Sequence, residues 1–268
     1  MKIAILLTGQ LRTIDLTKYI YMNNIISKYD TDVFISINPD NKLQHHYENS
    51  INESLQTQID DVLLFFNPVD YFIMNEYENS NFNSNLTLIG KNNKIIFEQY
   101  FIVNKAYLML INHINKSNIT YDLIIRLRFD QLIWTAETHS SIHNLFCREK
   151  NTILFNKKNI ELINSYTKND KIYFENIENN CIYVLGYGKF KNTNYNYVND
   201  QFFYHNHSLI NIMSTFYENM ENLIVYMNNE KIGNKGALIE CMFDLFLRNN
   251  NINLKKSIIN GIFIREIN

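Results

Sequence analysis

The sequence predicts an α/β fold: a mostly parallel central sheet flanked by helices, merging into a mixed α+β second half. Three observations predict it. Residues 2–8, KIAILLT, form an unbroken apolar run closed by Gly9, the pattern of a strand buried on both faces. From there to about residue 134, strand-like and helix-like stretches alternate, as they do when crossover helices join parallel strands. Beyond residue 135 the pattern changes to short strand-like pieces and two long amphipathic segments.

Each element follows in order. After the first strand, a helix is expected from about Asp15 to Lys28, with Leu16, Tyr19, Ile20 and Ile26 on one side. TDVFISIN at 31–38 reads as a second strand, stopped by the turn-forming NPDN. Residues 54–64 look helical, and VDYFIM at 69–74 reads as a third strand. The clearest helix is 94–115, where Tyr100, Val103, Tyr107, Leu110 and Ile114 recur at steps of three and four, and Phe97, Phe101, Leu108 and Ile111 widen the stripe. A fourth strand follows at 121–129. TILFN, KIYFEN and CIYVLGYG are shorter strand candidates. Helices are expected at 208–227, with Leu209, Met213, Phe216, Met220 and Leu223 in register, and at 236–248, with Leu238, Cys241, Met242 and Leu245 inward.

The 268 residues suffice for one large domain, and two prolines with seven glycines leave no room for a flexible linker of ordinary composition. A net charge of −2 gives no basic field, so nucleic acid is not an expected partner. Cys147, Cys181 and Cys241 lie outside any metal-ligand spacing and read as buried, reduced thiols, which suits a cytoplasmic location. No stretch reaches membrane-spanning length, so no transmembrane segment is expected. Asparagine, abundant throughout, carries little information at any one position.

The most informative stretch is YDLIIRLRFDQLIW at 121–134. Side chains alternate faces along a strand, so a strand persisting to its end points Arg126, Arg128 and Asp130 one way and Ile125, Leu127 and Phe129 the other. With a rise of ~3.3 Å per residue, Arg128 and Asp130 are separated by roughly 6.6 Å along the chain. Buried charges need partners. A diphosphate with a divalent cation satisfies all three groups, the arginines gripping phosphate oxygens and the carboxylate ligating Mg²⁺ or Mn²⁺. The alternative pairs the arginines with acidic residues such as Asp122 or Glu240.

Other strand ends turn polar as well: Thr8 to Arg12 after the first strand, Ser36 and Asn38 after the second. Ligands of open α/β sheets collect beyond the carboxyl ends of the strands, although strand ends also turn polar merely to meet water. TGQLRT lacks the phosphate-loop and dinucleotide fingerprints, yet Gly9 lets the backbone approach a ligand and Arg12 precedes a helix. In YVNDQFFYHNH, Asp200 stands between Asn199 and Gln201 and is a candidate general base. His205 and His207 read as loop histidines more readily than as metal ligands. Glu240, Asp244 and Arg248 at i,i+4 spacing read as a solvated helix face, with Glu240 kept as a candidate substrate contact.

Taken together, ILLTGQLRT, TDVFIS, YDLIIRLRFD, VNDQFFY and GALIECMFDLFLRNNNI, in that order over most of the chain, resemble the small GT-A-fold nucleotide-sugar glycosyltransferases of large DNA viruses and bacterial glycan clusters. The resemblance implies a single GT-A-like domain, with residues 1–134 binding the nucleotide sugar and 135–268 the glycan acceptor. It also implies a donor diphosphate held through a D-x-D motif and Mn²⁺ or Mg²⁺. Here that tripeptide is Arg128-Phe129-Asp130, with arginine in the first acidic position. Either Asp130 ligates the ion nearly alone, or Arg128 supplies part of its charge. By the same resemblance, Gln10 and Arg12 lie against the nucleotide, Asn199 and Asp200 meet the acceptor, and Asp200 is the base if configuration inverts. A sugar nucleotidyltransferase and a catalytically inactive glycan- or nucleotide-binding module of the same fold are the rival expectations.

Overall fold

A computed structural model describes residues 1–11, 13–39, 55–74, 93–135, 147–149, 152–155, 172–174, 176–189, 196–230, 239–263 and 266–267, with single positions at 138, 161, 162, 165 and 167. In chain order the strands are β1 (Lys2–Gly9), β2 (Asp30–Ile37), β3 (Asp70–Ile73), β4 (Leu123–Arg128), β5 (Gln131–Thr135), β6 (Cys147–Glu149), β7 (Thr152–Phe155), β8 (Cys181–Val184), β9 (Tyr187–Lys189), β10 (Asn196–Val198), β11 (Phe203–His205), β12 (Asn253–Lys256), β13 (Ile259–Phe263) and β14 (Glu266–Ile267). The helices are α1 (Ile14–Asn24), α2 (Leu55–Phe66), α3 (Asn93–Ser117), α4 (Ile210–Ser214), α5 (Phe216–Asn229) and α6 (Ile239–Asn249).

Seven strands form the central sheet in the order β12-β8-β11-β4-β1-β2-β3. β1 runs parallel to β2 and β4, β2 to β3, and β8 to β12, while β11 is antiparallel to both of its neighbours. The sheet is therefore mostly parallel with one reversed strand, and helices cover both faces, a mixed α/β architecture. Alternation along the strands divides the core. Ala4, Leu6, Phe34 and Ile124 pack with α3, α5 and α6, whereas Ile3, Ile5, Leu7, Ile35, Leu123, Ile125 and Leu127 pack with α1 and α2. Burial on both faces accounts for the near-continuous apolar runs that reveal β1 and β4 in the sequence.

The helical stripe of α3 is buried at Tyr100, Val103, Tyr107 and Leu110, but Leu108 is exposed at its margin. Tyr19 of α1 is likewise exposed, and α1 stops at Asn24, with a 3₁₀ turn over Ile26–Lys28 completing the predicted span. The long helix expected at 208–227 breaks at Thr215 into α4 and α5, after a 3₁₀ turn at His207–Leu209 in which the Ser208 N–H donates to the Asn206 side chain. Of the predicted KIYFEN strand, 172–174 and 176 are described, and none of them is in a strand; Leu238 lies outside the described residues.

Asparagine has an informative role at helix ends. Asn67, Asn118 and Asn251, just beyond α2, α3 and α6, adopt positive φ of 44°, 56° and 56°. Their amides donate to carbonyls in the preceding turn, at 2.8–3.0 Å. In a chain with seven glycines, asparagine tolerates the left-handed conformation that such helix ends require. Cys181 and Cys241 are buried and in no disulfide, and burial pushes the Cys241 thiol up to about 11; the Cys147 side chain lies outside the described residues.

Candidate active site

From β1, the sheet grows one way through β2 and β3 and the other way through β4. An open α/β sheet binds its ligand beyond the carboxyl ends of its strands where the strand order switches, here at β1 and β4. At that edge, one row of paired residues runs Phe72, Ser36, Thr8, Arg128 across four strands. Thr8 and Ser36 are fully buried, and the Ser36 hydroxyl has no hydrogen-bond partner among the described residues. Neither Ser36 nor Asn38 is a strand end turned toward water. Asn38 is buried, donates its amide N–H to the Gly9 carbonyl at 2.9 Å and its side-chain N–H to Glu98 Oε2 at 3.3 Å. Gly9 itself has φ of 131°, a conformation that L side chains rarely adopt, so the turn leaving β1 needs glycine for its backbone.

Arg126 lies one turn of the pleat deeper than Arg128. It is 1% exposed and stacks its guanidinium 5.9 Å from the Phe203 ring centroid. Its Nε donates to Thr8 Oγ1 at 3.3 Å and its Nη1 to the Asp200 carbonyl oxygen at 2.8 Å. Both acceptors are uncharged, and no carboxylate bridges to Arg126 among the described residues. Burial, and secondarily the neighbouring Arg128, pull its pKa down from 12.5 to about 9. The charge of Arg128 on the same face of β4 adds to the cost of burying Arg126, and an anion at this edge offsets that cost.

Arg128 and Asp130 depart from the sequence expectation. β4 ends at Arg128, and Phe129 and Asp130 form a turn into β5, so the alternation does not extend to Asp130. The turn folds the carboxylate back onto the arginine. Nε donates to Oδ1 at 2.8 Å and Nη2 to Oδ2 at 2.8 Å, a bidentate pair whose side chains are 12% and 2% exposed. Asp130 offsets the burial penalty on Arg128 and leaves its pKa raised. Asp122, one of the alternative partners, is engaged elsewhere: its carboxylate accepts the Lys2 amide at 2.7 Å. Removing either member of a buried pair of this kind costs about 3–5 kcal/mol.

The turn is held from the other face of the sheet. Thr17 and Tyr21, one turn apart on α1, donate to it: Thr17 Oγ1 to the Phe129 carbonyl at 2.6 Å, and the Tyr21 hydroxyl to the carbonyls of Arg128, at 2.7 Å, and Gln131. Burial drives the Tyr21 pKa upward, so its proton is retained. Sequence reading missed both residues, because an apolar helix stripe gives no sign that its tyrosine and threonine are directed at a strand turn.

Asp200 reaches the same edge from the second half of the chain. β11 pairs antiparallel with β4 in the register Phe203 to Arg126, so the segment just before β11 lies beyond the carboxyl end of β4. Asp200 is buried there. Asn199 accepts the Gln201 amide through Oδ1 at 3.2 Å and donates its own amide to the Gly186 carbonyl at 2.9 Å, shaping the turn around Asp200. Gln10 and Gln201 are both half-buried at the turns after β1 and before β11; Arg12 lies outside the described residues.

Two readings are corrected. His205 is a fully buried β11 residue rather than a loop histidine. Its Nδ1 donates to the Asn206 carbonyl at 2.7 Å, so its Nε2 accepts from the Tyr107 hydroxyl, also at 2.7 Å. Burial lowers its pKa from 6.5 to about 4, and it is neutral in the fold. The Glu240–Asp244–Arg248 stripe is not solvated at its acidic members: Glu240 and Asp244 are buried. Asp244 accepts both the Asn196 amide, at 2.8 Å, and its side-chain N–H, at 3.0 Å, and pairs with Arg248 at 2.8 Å. Glu98 is a further buried carboxylate that sequence reading missed, although a glutamate set among Ile96, Phe97 and Tyr100 was a visible signal.

A divalent cation takes about six oxygen ligands in these sites. Both Asp130 oxygens receive N–H groups of Arg128, and among the described residues no group of three His, Cys, Asp or Glu side chains is placed to hold a metal. The described residues at this edge do not by themselves fit the cation that the resemblance implies.

No family model matches the chain, and no curated protein matches it. Among solved structures, a glycosyltransferase involved in the glycosylation of the major capsid of PBCV-1 is similar at 8% identity and a TM-score of 0.29, over 82% of this chain and 66% of that one, just under two-thirds of its length. Among the described residues, no helix is long and apolar enough to cross a membrane.

Proposed function

We propose that the protein is a glycosyltransferase that moves a sugar from a nucleoside diphosphate sugar to a hydroxyl of a glycan. The observation that carries this reading is Arg126: a buried cation whose hydrogen-bond partners among the described residues are neutral, at the switch point of the sheet, tied directly to the segment bearing Asp200. Buried charge without a counter-ion is costly, and an anionic ligand at the same edge compensates for it. The order of the sequence motifs supplies the class of anion, a diphosphate leaving group.

In the proposed reaction, the bond from the anomeric carbon to the distal phosphate oxygen breaks, and its electron pair leaves with the nucleoside diphosphate. The acceptor hydroxyl oxygen forms the new bond to the anomeric carbon. Its proton passes to the Asp200 carboxylate if the displacement inverts configuration; in a retaining course it passes to the departing diphosphate oxygen, and Asp200 positions the substrates. The transition state resembles an oxocarbenium ion, so the protein acts mainly by stabilising the departing diphosphate. Arg126 and Arg128 are the groups assigned to that task. Thr8, Ser36, Asn38 and the Gly9–Gln10 turn are assigned to the nucleotide side, and Asn199, Gln201 and Glu240 to the acceptor side.

Thermal-shift screening against UDP-, GDP- and CDP-sugars, followed by an assay of nucleoside diphosphate release, tests the proposal. One of the donors should stabilise the fold by about 2–3 kcal/mol at ~100 times its Kd, and its turnover should release nucleoside diphosphate. Pyrophosphate release from a nucleoside triphosphate and a sugar phosphate would instead make it a sugar nucleotidyltransferase. Donor binding with no turnover on any glycan would make it a binding module.

A further inference from the structure

We infer that the positive charge facing the donor diphosphate is built into the chain, as Arg126 and an Arg128 oriented by Asp130, and that donor binding needs no divalent cation. The inference rests on the glycosyltransferase reading of the site and specifies its chemistry. Three features carry it. Asp130 spends both oxygens on Arg128, at 2.8 Å each, in the fork-to-carboxylate geometry that fixes the guanidinium plane. A carboxylate has further lone pairs, but Asp130 is 2% exposed, so they face protein rather than a cleft with room for a hydrated ion.

Arg128 is the outermost of the three charged side chains, with Arg126 directly behind it on the same face of β4. A dication placed beside Asp130 would stand against two guanidiniums, with that carboxylate already engaged. Guanidiniums, by contrast, match phosphate oxygens in shape and remain charged when partly desolvated. The turn from Arg128 to Gln131 is also fixed through its main chain by Thr17 and Tyr21, so the arginine plane is set before any ligand arrives. In this arrangement Asp130 is a positioning residue and Arg128 the group that meets phosphate.

The test is calorimetric titration of the full chain with UDP-, GDP- and CDP-sugars, in a chelator and again in Mn²⁺, with Mn²⁺ alone as a separate titrant. The expected result is a donor Kd that differs by less than about threefold between the two conditions, and no Mn²⁺ binding in the absence of donor. In Arg128→Gln, donor affinity should fall by about tenfold or more in both conditions. Asp130→Asn, whose amide oxygen still accepts one N–H, should bind more weakly but with the same indifference to chelator. Donor binding that appears only with Mn²⁺ overturns the inference and leaves the glycosyltransferase reading standing. Failure to bind any of the donors in either condition overturns both. The wild-type comparison decides the matter even if the variants do not fold.

Discussion

The Arg126 guanidinium donates to the backbone carbonyl of Asp200 at 2.8 Å, joining residues 74 positions apart. The contact ties the charge on β4 to the turn before β11. Because it uses the main chain of Asp200, the carboxylate can be altered without disturbing it.

That separation leaves the Arg126 contact in place in Asp200→Asn. Donor affinity should change by less than about twofold, while turnover falls by about 10²–10⁴ if Asp200 takes the acceptor proton. Full turnover in the variant, measured as nucleoside diphosphate release, would end its role as base.

Gly9→Ala should destabilise the fold by about 1–3 kcal/mol. The added Cβ meets only Phe129 Cδ2, at 3.9 Å, so space is not the obstacle; the φ of 131° is. Urea unfolding reads the loss. A neutral result would mean that the turn relaxes to an ordinary conformation.

Tyr21→Phe removes the hydroxyl that serves the Arg128 and Gln131 carbonyls, and both residues are buried or nearly so. Leaving such carbonyls unsatisfied costs about 1–3 kcal/mol. Donor affinity should fall as well, because the Arg128–Asp130 turn loses its anchor on α1. Unaltered affinity alongside lowered stability would separate the anchor from the site.

His205 imposes a pH dependence. Its folded pKa is about 4 against 6.5 when unfolded, so between those values the unfolded chain binds the extra proton. Stability is then complete above pH 6.5 and declines as the pH falls toward 4, by roughly 3 kcal/mol from this group. Comparing urea midpoints of wild type and His205→Gln between pH 7 and 4.5 isolates the contribution; the variant should show the shallower decline. Equal slopes would place the acid sensitivity elsewhere.

The single sequence determined β1 to β4, the long α3 and the parallel half of the sheet, because each is written in a local period of burial. The opposite facing of Ile125 and Arg126 on β4 follows from that period alone, and so does the burial of Leu209, Met213, Phe216, Met220 and Leu223 across the 3₁₀ turn, α4 and α5. A reader of the sequence could single out Arg126, Arg128 and Asp130 as a group. The sequence left their mutual relations open. That Asp130 turns back to grip Arg128 follows from the chain leaving β4 at that point, held there by Thr17 and Tyr21 more than 100 residues earlier. That FFYH is a buried reversed strand, and that Asp200 thereby reaches Arg126, was decided when β11 entered the sheet between β4 and β8. Periodicity records how much of a side chain is buried, and a strand or helix carries that record within itself. Which strand lies beside which, and which charge closes on which, depends on pairings between distant segments, and those exist only once the chain has folded.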